Sequence, residues 1–180
     1  TNFDIKKLAE NFDQYFLIFP WRKLPKNSEG FDMGCGSGRW AKLVAPKVGH
    51  LNCVEPSSAI EVAKANLKEH SNISFYKQTT ETCTIKPGSQ DFGYCLGVLH
   101  HITDTEGALA DCANLLKSKA PLLLYLYYDF ENQSFWFKMV WKCSDLLRRL
   151  VSILPFGLKK IVCEFIAAGV YWPLARAAYI

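Results

Sequence analysis

A glycine-rich turn early in the chain has the residue types and the spacing of a ligand-binding loop. Residues 31–40 read FDMGCGSGRW. Glycine lets the backbone approach a ligand without a Cβ clash, and a turn between a strand and a helix points N–H groups at whatever lies over it. The spacing is GxGxG, whereas the dinucleotide fingerprint GxGxxG would need glycine in place of Arg39. Alone, the turn is compatible with a cofactor site and with a tight strand–helix connection.

A carboxylate farther along the chain favours the cofactor site. Glu55 ends the next strand-like run, NCVEPS, 21 positions after Gly34. In a doubly wound sheet the carboxyl ends of neighbouring strands meet at one edge, where an acid can accept both hydroxyls of a ribose. The alternative is an ordinary surface glutamate.

Five apolar or β-branched runs must position these residues, and helical patterns separate most of them. The runs centre on residues 31–33, 51–54, 73–76, 92–96 and 122–128. This alternation predicts βαβ units, a parallel sheet and helices on both of its faces. Ser58 with Glu61, and Thr103 with Glu106, have the spacing of capping boxes that begin two of the helices.

Helical patterns flank this central part of the chain. Residues 3–19 are predicted to be helical, residues 133–154 to form an amphipathic helix that ends before Pro155, and residues 157–172 a further helix that ends at Pro173. We therefore expect an N-terminal helical cap (1–27), a cofactor-binding domain (28–132) and a helical lid or insertion (133–180). Nothing after Gln133 has a strand pattern.

Composition excludes several classes of protein. With 49% hydrophobic and 21% charged residues the chain is not disordered, and its seven cysteines include no CxxC pair that would indicate a disulfide framework or a metal site. No secretory leader opens the chain, and its longest uncharged stretch near the end is too short to cross a bilayer. We expect a cytoplasmic protein without a resident metal.

Charge is concentrated at the end of the chain. Residues 133–180 contain seven Lys or Arg against two acids, whereas the preceding part is nearly neutral and has no basic stripe for nucleic acid. The same segment holds three tryptophans and four phenylalanines. Three interpretations stay open: a helical cap, an apolar acceptor pocket, or contact with an anionic membrane surface.

Three segments together resemble class I S-adenosylmethionine-dependent methyltransferases: FDMGCGSGRW, NCVEPS and DFGYCLGVLHHITD. The resemblance extends over residues 28–129 and favours the small-molecule branch, in which a GVLHHI segment follows the fourth strand. It implies a Rossmann-like, doubly wound, mostly parallel α/β sheet with S-adenosylmethionine at its carboxyl edge. The family has seven strands, so its last strands are expected to be absent from this chain.

The resemblance also implies roles for individual residues. The turn residues Gly34, Cys35 and Gly36 would wrap the methionine and ribose portions of the cofactor. Asp32 would support this turn. Glu55 would bind the ribose and Pro56 would lie against the adenine. The adenine edge would contact the loop after the third strand, at Thr79, Thr80 and Glu81. The amino end of the cofactor would contact backbone groups of Leu96 and Gly97, at the end of the fourth strand.

Three departures from the family pattern are visible. The first strand has a short apolar run, Thr79 stands where an acid is usual, and residues 116–121 (LKSKAP) replace the common Pro-Gly-Gly. The first and third departures are expected to weaken local structure without abolishing binding.

Catalytic candidates follow the fourth and fifth strands. His100 or His101 could act as general base for a hydroxyl or amine acceptor, and Tyr128 could line the acceptor pocket and face the cationic sulfonium. The alternative is that the histidines are only part of the sequence signature of this segment and that the tyrosine packs at the end of a strand. Methyl transfer needs little acid–base help when donor and acceptor are held in line.

The predicted activity is methyl transfer to a small, apolar or aromatic acceptor, with no nucleic acid partner. Alternatives are a non-catalytic S-adenosylmethionine-binding sensor or partner subunit, and a membrane-surface methyltransferase that acts on a lipid through residues 133–180. A nicotinamide dehydrogenase is disfavoured by Arg39. The oligomeric state and the acceptor atom do not follow from the sequence.

Overall fold

The computed structural model describes residues 5–127 and 133–178, without the side chains of Ile5 and Lys6. The chain divides into two compact units, unit 1 over Thr1–Tyr127 and unit 2 over Tyr128–Ile180. The two units are described separately below.

Unit 1 alternates strands and helices, as the hydrophobic pattern predicts. Its strands are β1 (Glu29–Met33), β2 (His50–Val54), β3 (Ile73–Tyr76), β4 (Phe92–Leu96) and β5 (Leu122–Tyr125). Its helices are α1 (Ile5–Tyr15), α2 (Ala41–Val44), α3 (Ala59–Asn66) and α4 (Thr105–Leu115), with short 3-10 turns at Trp21–Lys23, Ala45–Lys47 and Leu99–His101.

The five strands form one parallel sheet in the order β3-β2-β1-β4-β5. The strand order reverses between β1 and β4, and in doubly wound sheets a ligand binds outside the carboxyl ends of the strands at that point. The glycine turn follows β1 and Gly97 follows β4, so both lie at this switch point. The predicted α/β fold class is confirmed.

Two apolar clusters lie on opposite faces of the sheet. One joins α1, α2 and α3 to the sheet through side chains such as Phe12, Phe16, Trp40, Ile60 and Leu67. The other joins α4 to the sheet through side chains such as Phe31, Val54, Leu99, Cys112 and Leu115. Burial on both faces explains why the strands read as continuous apolar runs rather than as alternating ones.

Two glycine–phenylalanine pairs connect the central strands. Gly30 of β1 stands opposite Phe92 of β4, and Phe31 stands opposite Gly93. A Cβ built on either glycine would overlap the ring of the phenylalanine opposite it. Each ring therefore occupies the volume that the missing side chain leaves, one ring on each face of the sheet.

A polar cluster joins three strands at the amino edge of the sheet. The buried Asn52 amide donates to Glu29 Oε1 (2.9 Å) and to Gln90 Oε1 (3.0 Å), and the Gln90 amide also donates to Glu29 Oε1 (3.2 Å). The Asn52 hydrogen bond is the main cause that lowers the pKa of the Glu29 carboxyl. This cluster lies at the end of the strands opposite the glycine turn, so its role is structural.

Several predicted boundaries differ from the structure. Strand β1 begins at Glu29 and is not short, because Gly30 packs against Phe92 even without a side chain of its own. Strand β5 ends at Tyr125 rather than near residue 128. The Ser58 capping box does not form, since Ser57 Oγ accepts from the Ala59 amide (3.2 Å) instead. Helix α4 is capped by Asp104, which accepts from the Gly107 amide (2.9 Å), and not by Thr103.

Unit 2 is helical over its described residues. It contains α5 (Phe135–Ile153), α6 (Phe156–Ile166), a π-helical segment (Ala167–Tyr171) and α7 (Trp172–Ala177). The prediction that Pro173 ends a helix is wrong: Pro173 lies in the first turn of α7, where a missing N–H costs no hydrogen bond. No helix within residues 5–127 and 133–178 is long and apolar enough to span a bilayer.

Candidate cofactor-binding site

The glycine turn is held against the end of β2. The amides of Gly34 and Cys35 both donate to the Val54 carbonyl, at 2.8 and 3.1 Å. Gly34 has φ +76°, and a Cβ there would overlap the Val98 side chain at 2.5 Å. Glycine is therefore required at position 34 both for its backbone conformation and for its packing against the loop after β4.

Two further glycines border open space on either side of the switch point. Gly36 has φ +54° and Gly97 has φ +78°, and a Cβ on either would meet no described atom within 4 Å. No neighbouring side chain demands glycine at these positions, so of the two reasons given for Gly34 only the backbone conformation applies here. Backbone open on one side is what close approach of a ligand needs.

Glu55 connects the glycine turn to the loop after β2. Its Oε2 accepts from the Gly36 amide (3.1 Å) and its Oε1 accepts from the Ser57 amide (2.9 Å). An ionised carboxylate has about four acceptor positions, so two remain for a ligand. Its half-buried side chain is thus fixed in place and still able to bind a pair of hydroxyls.

Asp32 lies behind the turn, completely buried in β1. Burial is the main cause that raises the pKa of its carboxyl to about 7; the nearby Tyr94 hydroxyl opposes this rise and the charge of Glu55 adds to it. Neither Asp32 Oδ2 nor the Tyr94 hydroxyl has a hydrogen-bond partner among the described residues. Asp32 is buried two positions before Gly34, and its support of the turn stays a prediction.

The loop after β3 closes on itself. The hydroxyls of Thr79 and Thr82 lie 2.9 Å apart, and each also accepts from the backbone amide of the other residue, at 3.0 and 3.2 Å. Glu81 is exposed and Thr80 half-buried. Among the described residues no hydrogen bond joins this loop to the glycine turn. Pro56 is exposed beside Glu55.

The histidine pair lies in the 3-10 turn after β4. The His100 ring packs between His101 and Tyr127, with centroid distances of 4.1 and 4.3 Å, and Tyr127 in turn packs edge-to-face on Tyr125. Both His100 nitrogens are shielded from solvent and have no partner among the described residues. Desolvation, followed by the charge of His101, lowers the His100 pKa, so the imidazole is neutral at pH 7. Tyr128 lies outside the described residues.

Sequence reasoning missed three residues that shape the site. Val98 sets the glycine requirement at position 34, and the Ser57 amide holds Glu55. Asn66 of α3 donates from Nδ2 to the Ser37 carbonyl (2.9 Å) and so braces the outside of the turn. Their residue types carry no signal of this role, because Val98 and Asn66 act through contacts between segments that are distant in sequence and Ser57 acts through its backbone amide.

Comparisons with known proteins identify the family of this domain. A family model described as a methyltransferase domain matches residues 31–124, more than half of the chain. The ubiquinone biosynthesis O-methyltransferase of Saccharophagus degradans is 34% identical over 89 residues, which cover 48% of this chain and 38% of that protein. The chain spans less than half the length of the curated relatives it matches.

Two solved structures show the same fold at low sequence identity. YcgJ of Bacillus subtilis superposes with a TM-score of 0.56 at 24% identity, covering 66% of this chain and 49% of that one. Phosphoethanolamine N-methyltransferase 1 of Haemonchus contortus, in complex with phosphoethanolamine and S-adenosylhomocysteine, gives a TM-score of 0.52 at 18% identity, covering 62% and 24%. With its strand order and its glycine turn, the chain belongs to the methyltransferase domain family and has the Rossmann-like fold of class I methyltransferases, whose cofactor is S-adenosylmethionine.

Proposed function

We propose that the protein binds S-adenosylmethionine at the carboxyl edge between β1 and β4 and transfers its methyl group to a small-molecule acceptor. The observation that carries this proposal is the pair of open glycines, Gly36 and Gly97, on either side of the switch point, next to the Glu55 carboxylate, which has two acceptor positions left. When bound, the cofactor supplies an activated methyl group on a sulfonium.

The residues of the chain would act mainly by positioning. Glu55 would accept the two ribose hydroxyls, with its orientation fixed by the Gly36 and Ser57 amides. The Gly97 amide is already used, because it donates to the Tyr125 carbonyl (2.9 Å). The backbone group that Gly97 can offer to the cofactor's amino end is therefore its carbonyl.

We assign the adenine to the exposed side of Pro56 and to the loop at Thr79, Thr80 and Glu81. Because the Thr79 hydroxyl is engaged with Thr82, that position would contribute backbone groups rather than its side chain. Glu81 is exposed and keeps its carboxylate for the adenine amino group.

The acceptor is proposed to be small and apolar or aromatic, as the GVLHHI segment of the small-molecule branch favours. Exposed rings of Tyr125 and Tyr127 lie beside His100 just past the carboxyl ends of β4 and β5 and suit a planar acceptor. Two of the curated relatives, from Saccharophagus degradans and Coxiella burnetii, are named ubiquinone biosynthesis O-methyltransferases, which favours a hydroxyl as the accepting group.

His100 is our candidate for the general base. Its lowered pKa keeps the imidazole neutral at pH 7. Both ring nitrogens are shielded in this structure, so the ring would have to turn out from between His101 and Tyr127 to accept the hydroxyl proton. If His100 accepts this proton, His100→Asn lowers turnover strongly while S-adenosylhomocysteine still binds. Unchanged turnover would show that His100 is not the general base and that the protein acts only by positioning donor and acceptor.

The test of the cofactor proposal is calorimetry with S-adenosylhomocysteine. We expect binding to the chain, no binding of NAD, and loss of binding in Gly36→Val, because the new side chain fills the space that the ligand needs. Gly88→Val is a matched control: Gly88 also has a positive φ (+66°) and open surroundings, but it lies in the loop before β4, at the other edge of the sheet. Binding of NAD in place of S-adenosylhomocysteine would refute the proposal, and so would equal losses in both variants.

A further inference from the structure

Helix α5 of unit 2 is amphipathic, and none of the residues proposed for the cofactor site lies on it. We propose that α5 docks on an anionic membrane surface, with its apolar stripe in the lipid interface and its basic residues at the headgroups. This inference goes beyond the proposed function and does not depend on it.

The stripe runs the length of the helix. Its large apolar side chains recur at intervals of three, four or seven positions, which puts them on one side at 100° per residue. They are between 51% and 80% exposed: Phe135, Met139, Leu146, Leu150 and Ile153. Cys143, also exposed, lies within the same stripe. So many large apolar side chains in water on one helix face indicate an interaction surface.

The neighbouring helix α6 does not cover the stripe. The groove between α5 and α6, with a volume of about 430 Å³, is lined on the α5 side by Ser144, Leu147, Arg148 and Val151. At helical periodicity these residues lie on roughly the opposite side of α5 from the stripe. The contact that holds the two helices together therefore leaves the stripe exposed.

Charge selects the partner. Residues 133–178 carry seven Lys or Arg against two acids, and each of these two acids is paired. Asp145 binds Arg148 (2.6 Å) and Arg149 (2.8 Å), and Glu164 lies 3.9 Å from Lys160. Two arginines around one carboxylate still leave a positive charge, and Lys142 lies next to the stripe on the helix. The net positive charge requires a negatively charged partner.

An anionic bilayer would both bury the apolar stripe and neutralise the positive charge. Helices with Lys and Arg on one face and Trp, Phe and Leu on the other lie in the plane of such an interface, and the exposed Trp136 borders the stripe as an interfacial aromatic would. A nucleic acid would neutralise the charge but leave the stripe in water. A second copy of this chain would cover the stripe but bring two positive units together.

The experiment is co-sedimentation of the full chain with vesicles of phosphatidylcholine alone or mixed with phosphatidylglycerol. We expect binding only to the mixed vesicles, weakening as salt is raised. Leu150→Asn should reduce the affinity about tenfold, on the scale of one buried leucine. Lys142→Gln should reduce it about fivefold, on the scale of one basic residue near an anionic surface.

Matched controls lie in unit 1. Val62 on α3 is 50% exposed, close to the 56% of Leu150, and Lys68 is an exposed lysine; Val62→Asn and Lys68→Gln should leave vesicle binding unchanged. Far-ultraviolet circular dichroism checks that each variant is folded. Quenching of tryptophan fluorescence by brominated lipid, reduced in Trp136→Phe, reports insertion independently of the stripe variants.

Three results would overturn the proposal. One is equal binding to both kinds of vesicle, or to neither. Another is binding that responds to Lys142→Gln but not to Leu150→Asn, which describes a polyanion site. The third is a dimer in sedimentation that Leu150→Asn dissociates, which would assign the stripe to a second copy.

Discussion

At the scale of single residues, Glu55 connects folding to binding. Its two carboxylate oxygens fix the glycine turn and the loop after β2 through one amide each, and the same oxygens would accept the ribose hydroxyls. Hydrogen bonds to a charged group are worth roughly 1.5–3 kcal/mol each. The local order of the turn and the affinity for the cofactor should therefore change together.

Glu55→Ala is expected to weaken S-adenosylhomocysteine binding by about one to two decades, measured by calorimetry, while the fold survives. Glu61→Ala is the control, because Glu61 is exposed on the adjacent α3 and pairs only with Lys64. Equal affinities in the two variants would place the ribose elsewhere.

Asp32 is expected to make stability depend on pH in an unusual direction. Burial raises the pKa of this carboxyl from 3.8 to about 7, so the native state binds the proton more tightly than the unfolded chain does. The stabilising contribution is complete below about pH 4 and is lost as the pH rises through about 7, a change of up to roughly 4 kcal/mol. Urea unfolding across this range measures it, and Asp32→Asn should remove this part of the slope. A slope that persists in the variant would contradict the assignment.

At the scale of elements, the connection into β5 carries strain. Lys119 has φ +65°, the one positive φ among the described non-glycine residues, in the segment that replaces the family's Pro-Gly-Gly. A left-handed conformation costs an ordinary L-residue roughly 1–2 kcal/mol, and glycine avoids it. The replacement of Pro-Gly-Gly predicts weakened structure in this loop, and the backbone strain lies at Lys119.

Lys119→Gly is expected to raise the free energy of unfolding by about 0.5–1 kcal/mol, since the relief of strain exceeds the entropy cost of glycine. Ser118→Gly, one residue earlier and without a positive φ, should lower it instead. Thermal or urea melts of the two variants decide the sign. Destabilisation in both would mean that the Lys119 side chain has contacts that outweigh its backbone strain.

The sequence was sufficient to predict most helices and strands but not all of their first and last residues. Hydrophobic runs and a glycine turn were sufficient to predict the five parallel strands, because buried parallel strands have that pattern. The extension of β1 to Glu29 depends on Phe92 filling the space above Gly30, which is a contact between strands distant in sequence. Likewise, Pro173 reads as a helix end only if the preceding turn is α-helical, and here that turn is a π-helix.

In the candidate site, too, some features could be predicted from the sequence and others could not. Glu55 and the glycines were predictable from their spacing, since strand length and sheet order place them at one edge. That Glu55 also binds two amides, that Thr79 is engaged with Thr82, and that His100 is enclosed by two rings depend on loop conformation. Loop conformation leaves no periodic pattern in the sequence.

At the scale of the whole molecule, ligand binding should distinguish the two units. A ligand that binds only the native state stabilises it by about 2.7 kcal/mol at a concentration 100 times its Kd. With S-adenosylhomocysteine present, we expect slower amide hydrogen exchange at residues 34–38, 55–57 and 96–98 and in the buried strands of unit 1. Residues 133–178 should exchange at their original rates. Equal protection of both units would show that they unfold as one.

The paired glycines and phenylalanines of β1 and β4 restrict how this sheet can evolve. Enlarging Gly30 is blocked while Phe92 is present, and shrinking Phe92 first leaves a cavity that Gly30 cannot fill. The Phe31 and Gly93 pair has the same constraint on the other face. Both single-step routes therefore pass through a destabilised intermediate, whereas an exchange such as Gly30→Ala together with Phe92→Leu could keep the total volume. Descendants of this sequence should consequently change these positions in couples, with strong epistasis between β1 and β4.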